Sequence, residues 1–190
     1  MQAVQPVGEA LTAYQGKVFS IVQQKVRYPD GREGVYEYAR RAAGVLVIAI
    51  DKDNFITLVK EKRIRKRGEP EQWALPGGLL ATKESFEKAA ARELIEETGL
   101  AGDLAFFAER SRGPREFWQT RCYIAKKAKK KTEPTEGLEL RSVPFFEAVQ
   151  MATEGEIENE FAALCLVRYA RQTNRIELLE KELDPRIQYD

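Results

Sequence analysis

The stretch Gly78–Leu100, GLLATKESFEKAAARELIEETGL, decides how the rest of the chain is read. From Glu84 to Thr98 it is rich in Ala, with Leu94 and Ile95 at its centre and no Pro, which predicts a helix. Gly99 stands where a helix commonly ends in a left-handed residue. Thr82 is placed as the N-cap, and Gly77-Gly78 predict a tight loop able to approach a ligand closely. On a helical wheel Phe86, Ala90, Ala91, Leu94 and Ile95 form an apolar face that must pack on the body of the protein. Beside it Glu93, Glu96 and Glu97 lie at i, i+3 and i+4 and share a face. Like charges at this spacing destabilise a helix by roughly 0.2–0.5 kcal/mol per pair. They also sit near the C-terminus, where the macrodipole disfavours negative charge. A divalent cation resolves that conflict, and an oxygen-only ligand set suits Mg²⁺, Mn²⁺ or Ca²⁺. The alternative is a solvated acidic helix end in which Arg92 pairs with Glu96.

The composition narrows the chemistry. With 190 residues, 43% apolar and 32% charged, the chain is most simply one soluble globular domain. Lys and Arg number 31 against 30 Asp and Glu, so no broad electrostatic case for nucleic acid exists. No histidine is present, which excludes serine–histidine and cysteine–histidine catalysis and the usual zinc sites. Acid–base work then falls to carboxylates, Lys, Tyr or a metal-bound water. The first residues do not read as a signal peptide, and no apolar run is long enough to span a bilayer. Cys122 and Cys165 each lie in an apolar pattern and read as buried thiols of a cytoplasmic protein.

Outward from the box, Lys17–Arg27 and Gly34–Arg40 predict a hairpin around Tyr28-Pro29-Asp30-Gly31, polar enough to be exposed or intersubunit. Ala43–Ile50 is a continuous apolar run and predicts a strand buried on both faces. Asp51-Lys52-Asp53-Asn54 turns the chain into a partner strand, Phe55–Lys62, and lacks the glycine and distal glutamate of a calcium loop. The basic run that follows contains Arg63 and Arg65, read either as phosphate or ribose contacts or as a solvated loop. Leu104–Glu109 and Phe117–Lys126 predict two more strands. The lysines of 126–131 predict a flexible hairpin tip. Leu138–Val143 is a further strand; Phe145–Thr153 and Glu156–Arg171 are amphipathic helices, with a short terminal helix at Ile176–Leu183. The order of elements predicts an α+β fold with a mixed sheet flanked by helices.

The box resembles the signature of the Nudix hydrolases: Gly, five residues, Glu, seven residues, Arg-Glu, an aliphatic, any residue, Glu-Glu, any residue, Gly, an aliphatic. Gly78, Glu84, Arg92, Glu93, Leu94, Glu96, Glu97, Gly99 and Leu100 occupy those positions. Outside it, four features resemble the ADP-ribose and nucleoside-diphosphate-sugar branch. These are the VRYPDGREGVYEY hairpin, LVKEKRIR before WALPGG, Pro114 beyond the box, and EGLELRSVPFFEAVQMATEGEI.

The resemblance implies an α/β/α sandwich, with residues 1–42 as an N-terminal β extension and 43–172 as the Nudix core. It implies that Glu93, Glu96 and Glu97 ligate Mg²⁺ or Mn²⁺, that Glu84 reaches the same cluster, and that Arg92 orients a glutamate. The implied reaction hydrolyses the diphosphate of a small-molecule nucleotide sugar, such as ADP-ribose or GDP-mannose. Glu136, with Glu133 second, is implied as the base; both read equally as solvated loop carboxylates. Gly78 would admit the substrate, and Tyr28 or Trp118 offers a face for the base, though each also reads as an ordinary core or edge residue. A homodimer, in which each leading hairpin completes the partner's site, is implied as well. Two other readings stay open: a hydrolase of dinucleotides or oxidised nucleotides, and a regulator that binds a nucleotide without cleaving it.

Overall fold

The computed structural model describes residues 3–60, 72–111 and 115–173. In chain order the elements are β1 (Gln5–Pro6), β2 (Leu11–Gln15), β3 (Ser20–Arg27), β4 (Glu33–Arg40), β5 (Gly44–Ala49), β6 (Phe55–Lys60) and β7 (Gly77–Leu79). They continue with α1 (Phe86–Thr98), β8 (Leu100–Arg110), β9 (Glu116–Phe117), β10 (Thr120–Lys130), β11 (Glu139–Pro144), α2 (Phe145–Thr153) and α3 (Glu160–Gln172). The terminal helix read at Ile176–Leu183, and Arg63, Arg65 and Pro114, lie outside the described residues. The chain divides into two compact units, Met1–Gly44 with Glu109–Thr120, and Val45–Ala108 with Arg121–Asp190.

The first unit is a sheet ordered β1-β3-β4-β9, with β2 also pairing with β3. The hairpin expected around Tyr28 is present: β3 and β4 run antiparallel from Ser20↔Arg40 to Arg27↔Glu33. Its turn closes with Tyr28 N–H donating to the Arg32 carbonyl at 2.8 Å and Gly31 at φ 86°. Only glycine adopts that conformation without strain. β9 joins β4 in parallel, Ala39 opposite Glu116, so the sheet is mixed.

The second unit is an α/β/α sandwich built on β5. All six β5 residues are buried, and they alternate between two cores. Val45, Val47 and Ala49 pack with Ala89, Ala90 and Leu94 of α1. Leu46 and Ile48 pack with Ala148 and Val149 of α2 and Phe161, Cys165 and Leu166 of α3. The strands are ordered β7-β5-β10-β8, with β11 and β6 forming a separate antiparallel pair. Cys122 and Cys165 are free and buried in one core, where the Cys165 contact and burial raise the Cys122 pKa.

Three local expectations are corrected. Ser85, not Thr82, caps α1, its hydroxyl accepting from Lys88 N–H at 3.3 Å. Residues 81–84 form a turn in which Lys83 sits at φ 62° and Glu84 N–H donates to the Ala81 carbonyl, so the helix begins at Phe86. Asn159 caps α3 by accepting from Phe161 and Ala162 N–H groups, which starts that helix at Glu160 rather than Glu156. The residues before it bond to Trp73 instead, through Glu156 O and Glu158 N–H. Finally, Lys126–Lys130 belongs to β10 and is no hairpin tip, because Ala125 and Ala128 point into the core and hold the strand down. The turn read at Asp51 is as expected: its Oδ1 accepts from Asp53 and Phe55 N–H groups at 2.8 and 2.9 Å.

Candidate active site

The acidic stretch of α1 is organised by one guanidinium. Arg92 Nε and Nη2 donate to the two oxygens of Glu84 at 2.9 and 3.0 Å, and Nη1 donates to Glu93 Oε1 at 2.8 Å and Glu96 Oε2 at 2.9 Å. Nη2 also donates to the Leu79 carbonyl at 3.0 Å, which fastens the arginine to β7. Charge-assisted forks of this kind are the strong class of hydrogen bond. The Arg92 contact, followed by the Ala81 N–H, holds the Glu84 carboxyl down at about 2. Glu93 moves the other way: its burial raises its pKa, Arg92 opposes the rise, and the charges of Glu96 and Glu136 add to it.

Helical spacing places three glutamates on one face, but their carboxylates do not all converge. Glu97 is buried, and its Oε2 accepts from Gly77 N–H at 2.9 Å, tying α1 to the start of β7. The two glycines here answer to crowding. A Cβ at Gly77 would overlap the Val45 carbonyl of β5, and one at Gly78 would overlap the Glu93 carboxylate.

The third carboxylate of the cluster comes from the loop after β10. Gly99, at φ 70°, ends α1, and its carbonyl accepts from Lys131 and Thr132 N–H groups. The Glu96 carbonyl then accepts from Thr135 N–H at 2.8 Å and Glu136 N–H at 3.3 Å. These bonds bring a carboxylate oxygen from each of Glu93, Glu96 and Glu136 within 4.8 Å of one another. An oxygen-only set of this span fits a hard divalent cation such as Mg²⁺, which prefers carboxylates and keeps water in its shell. Glu84 is held by Arg92 and the Ala81 N–H, and Glu133 pairs with Lys130.

Tyr28 and Trp118, singled out in the sequence as faces for the base, belong to the first unit. Tyr28 closes the hairpin turn, with the Arg32 guanidinium 5.8 Å from its ring centroid. Trp118 packs edge-on against Phe19 at 5.9 Å, and the Arg41 guanidinium lies 4.8 Å from its ring. Trp118 also lines a cavity of about 420 Å³ with Tyr38, Arg40, Arg41 and Phe117. No sequence pattern marks Arg40 and Arg41, whose meeting with Trp118 depends on pairing across the sheet. The same holds for the backbone partners Gly77, Leu79 and Thr135, since no side-chain pattern encodes them.

The NUDIX domain family model matches residues 39–173. An ADP-ribose pyrophosphatase of Bacillus subtilis (strain 168) is 34% identical over 86 residues, 45% of each chain. A methanol dehydrogenase activator of Bacillus methanolicus is 35% identical over 86 residues, again 45% of each. The chain thus spans about half the length of the curated relatives it matches (45%). A crystal structure of an ADP compounds hydrolase superposes with a TM-score of 0.72 at 23% identity, over 90% of this chain and 97% of that one, a likeness of fold.

Proposed function

The chain belongs to the NUDIX family, and from that premise we propose that it hydrolyses the diphosphate linkage of ADP-ribose or a nucleoside-diphosphate sugar such as GDP-mannose. Water attacks one phosphorus, the P–O–P bridge breaks, and a nucleoside monophosphate and a sugar phosphate leave. The observation that carries this reading is the convergence of Glu93, Glu96 and Glu136 oxygens beside Arg92.

Glu93 and Glu96 would hold Mg²⁺ or Mn²⁺, with Glu97 and Glu84 supporting them from the same stretch. When bound, such an ion neutralises the diphosphate and lowers the pKa of a coordinated water. Arg92 keeps Glu93 and Glu96 in fixed rotamers, so the cluster is preorganised. Glu136 accepts the proton of the attacking water, and its loop is held within reach by the bonds to Glu96 O. Gly78 keeps the space over Glu93 free of a side chain. Arg63, Arg65, Tyr28 and Trp118 are the proposed contacts to phosphate, ribose and base. The ADP-ribose preference draws on the B. subtilis relative and on the hairpin outside the box. We further propose one catalytic domain, with residues 1–42 as a β extension in a cytoplasmic homodimer, and no nucleic-acid partner.

The test is phosphate release from ADP-ribose, GDP-mannose, UDP-glucose, NADH, diadenosine polyphosphates and 8-oxo-dGTP, with Mg²⁺, a coupling phosphatase and a Glu97→Gln control. Turnover of ADP-ribose or a nucleotide sugar, lost in the control, is expected. Turnover only of the dinucleotides or the oxidised nucleotide moves the substrate class. Binding of ADP-ribose without cleavage of any member would replace hydrolysis with a regulatory role.

A further inference from the structure

The lysine run of β10 lies outside the carboxylate cluster and has a structure of its own. Ile50 N–H donates to the Ala125 carbonyl at 2.8 Å, and Ala128 N–H donates back to the Ile50 carbonyl at 2.8 Å. Lys126 and Lys127 therefore stand together opposite one residue, a β-bulge, and Lys127 takes φ 53°. A left-handed lysine costs on the order of 1 kcal/mol against a regular strand. Beyond the bulge Ala128 is buried, and Lys127, Lys129 and Lys130 line one surface cavity of about 510 Å³. Its other walls are the Asp51–Asp53 turn, Leu100 at the start of β8, and the hydroxyl residues Thr57 and Ser142 of the β6–β11 pair.

The charges in this cavity are unequally matched. Lys52 pairs with Asp53 at 2.8 Å, and Lys130 pairs with Glu133. Asp51 is engaged by two backbone N–H groups. Among the described residues, Lys127 and Lys129 form no ion pair, and the four lysines lining the cavity outnumber its two carboxylates, Asp51 and Asp53. Lys is a compact point charge well suited to phosphate oxygens, and Thr and Ser hydroxyls donate to the same atoms. Two adjacent free cations match an anion with more than one charged group better than a lone phosphate.

We propose that this cavity binds a small molecule carrying two or more linked phosphates, held by Lys127 and Lys129 with Lys130, Thr57 and Ser142. The site differs from the carboxylate cluster in the sign of its charge, so it needs no divalent cation.

Calorimetric titration with sodium tripolyphosphate, in EDTA and low salt, separates the two sites, because the glutamates repel the probe when metal is absent. Saturable one-to-one binding is expected in the wild-type chain and in Glu93→Gln. It should weaken about tenfold or more in the double variant Lys127→Glu/Lys129→Glu and in the milder Lys127→Gln/Lys129→Gln, and fall as salt screens the amines. Both lysines are solvent-exposed, and circular dichroism checks that the variants remain folded. The proposal fails if the wild type does not bind, if the lysine variants bind equally well, or if Glu93→Gln abolishes binding. It also fails if a single-stranded oligonucleotide binds through these lysines while tripolyphosphate does not.

Discussion

In the unit Val45–Ala108 with Arg121–Asp190, β5 has no exposed residue and serves two cores at once. In the unit Met1–Gly44 with Glu109–Thr120, β2 has no buried residue, and Leu11, Tyr14 and Val35 are 64%, 62% and 56% exposed. Both units are sheets, so strand propensity does not separate them. The difference is that helices cover both faces of β5, whereas the described residues of the other unit contain no helix. A sheet covered on both sides converts its whole apolar content into stability. The sheet without helices buries Ser20, Val22 and Val26 of β3, and it leaves apolar surface at Leu11, Tyr14 and Val35 for something else to cover.

Replacing Ile48, fully buried at the centre of β5, tests this contrast most severely. Ile48→Ala should cost about 2–5 kcal/mol in urea unfolding. A loss below about 1 kcal/mol would mean that the two-sided core is not what holds that unit. Next in size, Arg92→Ala should lower kcat about 100-fold by releasing Glu93 and Glu96. The same variant has a titration signature. Glu84, whose pKa lies at about 2 instead of 4.5, favours the folded state above about pH 4.5 and loses that contribution as pH falls toward 2. Without Arg92, the carboxyl resonance of Glu84 should titrate higher than in the wild type in an NMR series, while the Ala81 N–H still holds it below 4.5. Gly99→Ala should destabilise by about 1 kcal/mol or more, since it puts a side chain at φ 70° and a Cβ against the Thr132 carbonyl. The smallest effect belongs to β2, which has no buried residue. Leu11→Ser should stay within about 0.5 kcal/mol of wild type in unfolding of dilute protein. If sedimentation velocity shows a dimer that this variant weakens, a second copy covers the exposed face.

The parts of the fold that the sequence made legible share a cause. β5, α1 and α2 are marked by continuous apolar content or a clean helical period, and burial of that content is what forms them. The box glutamates were legible as a face, but a helical wheel gives direction only to within a turn. It could not show that Glu97 turns to Gly77 N–H while Glu93 turns to Arg92. Ser85 and Thr82 are both acceptable caps by residue type, Ser the better, and Glu84 decides between them by folding its carboxylate back onto Ala81 N–H and closing a turn before the helix. The lysine run misled because its charges suggested a solvated tip, while two small residues, Ala125 and Ala128, anchor it as strand.

Glu96 takes part in the cluster twice, and the two roles are chemically separate. Its carboxylate belongs to the acidic group, whereas its peptide carbonyl is the tether for Thr135 and Glu136. Exchanging the side chain leaves the tether in place, so Glu96→Gln alters the charge beside Glu136 without releasing the loop. The loop's attachment can be followed on its own through deuterium uptake at the Thr135 amide, which stays slow as long as that bond to a helix carbonyl persists. A fast-exchanging Thr135 in a variant with intact glutamates would identify a protein whose charges are complete but whose third carboxylate has lost its position.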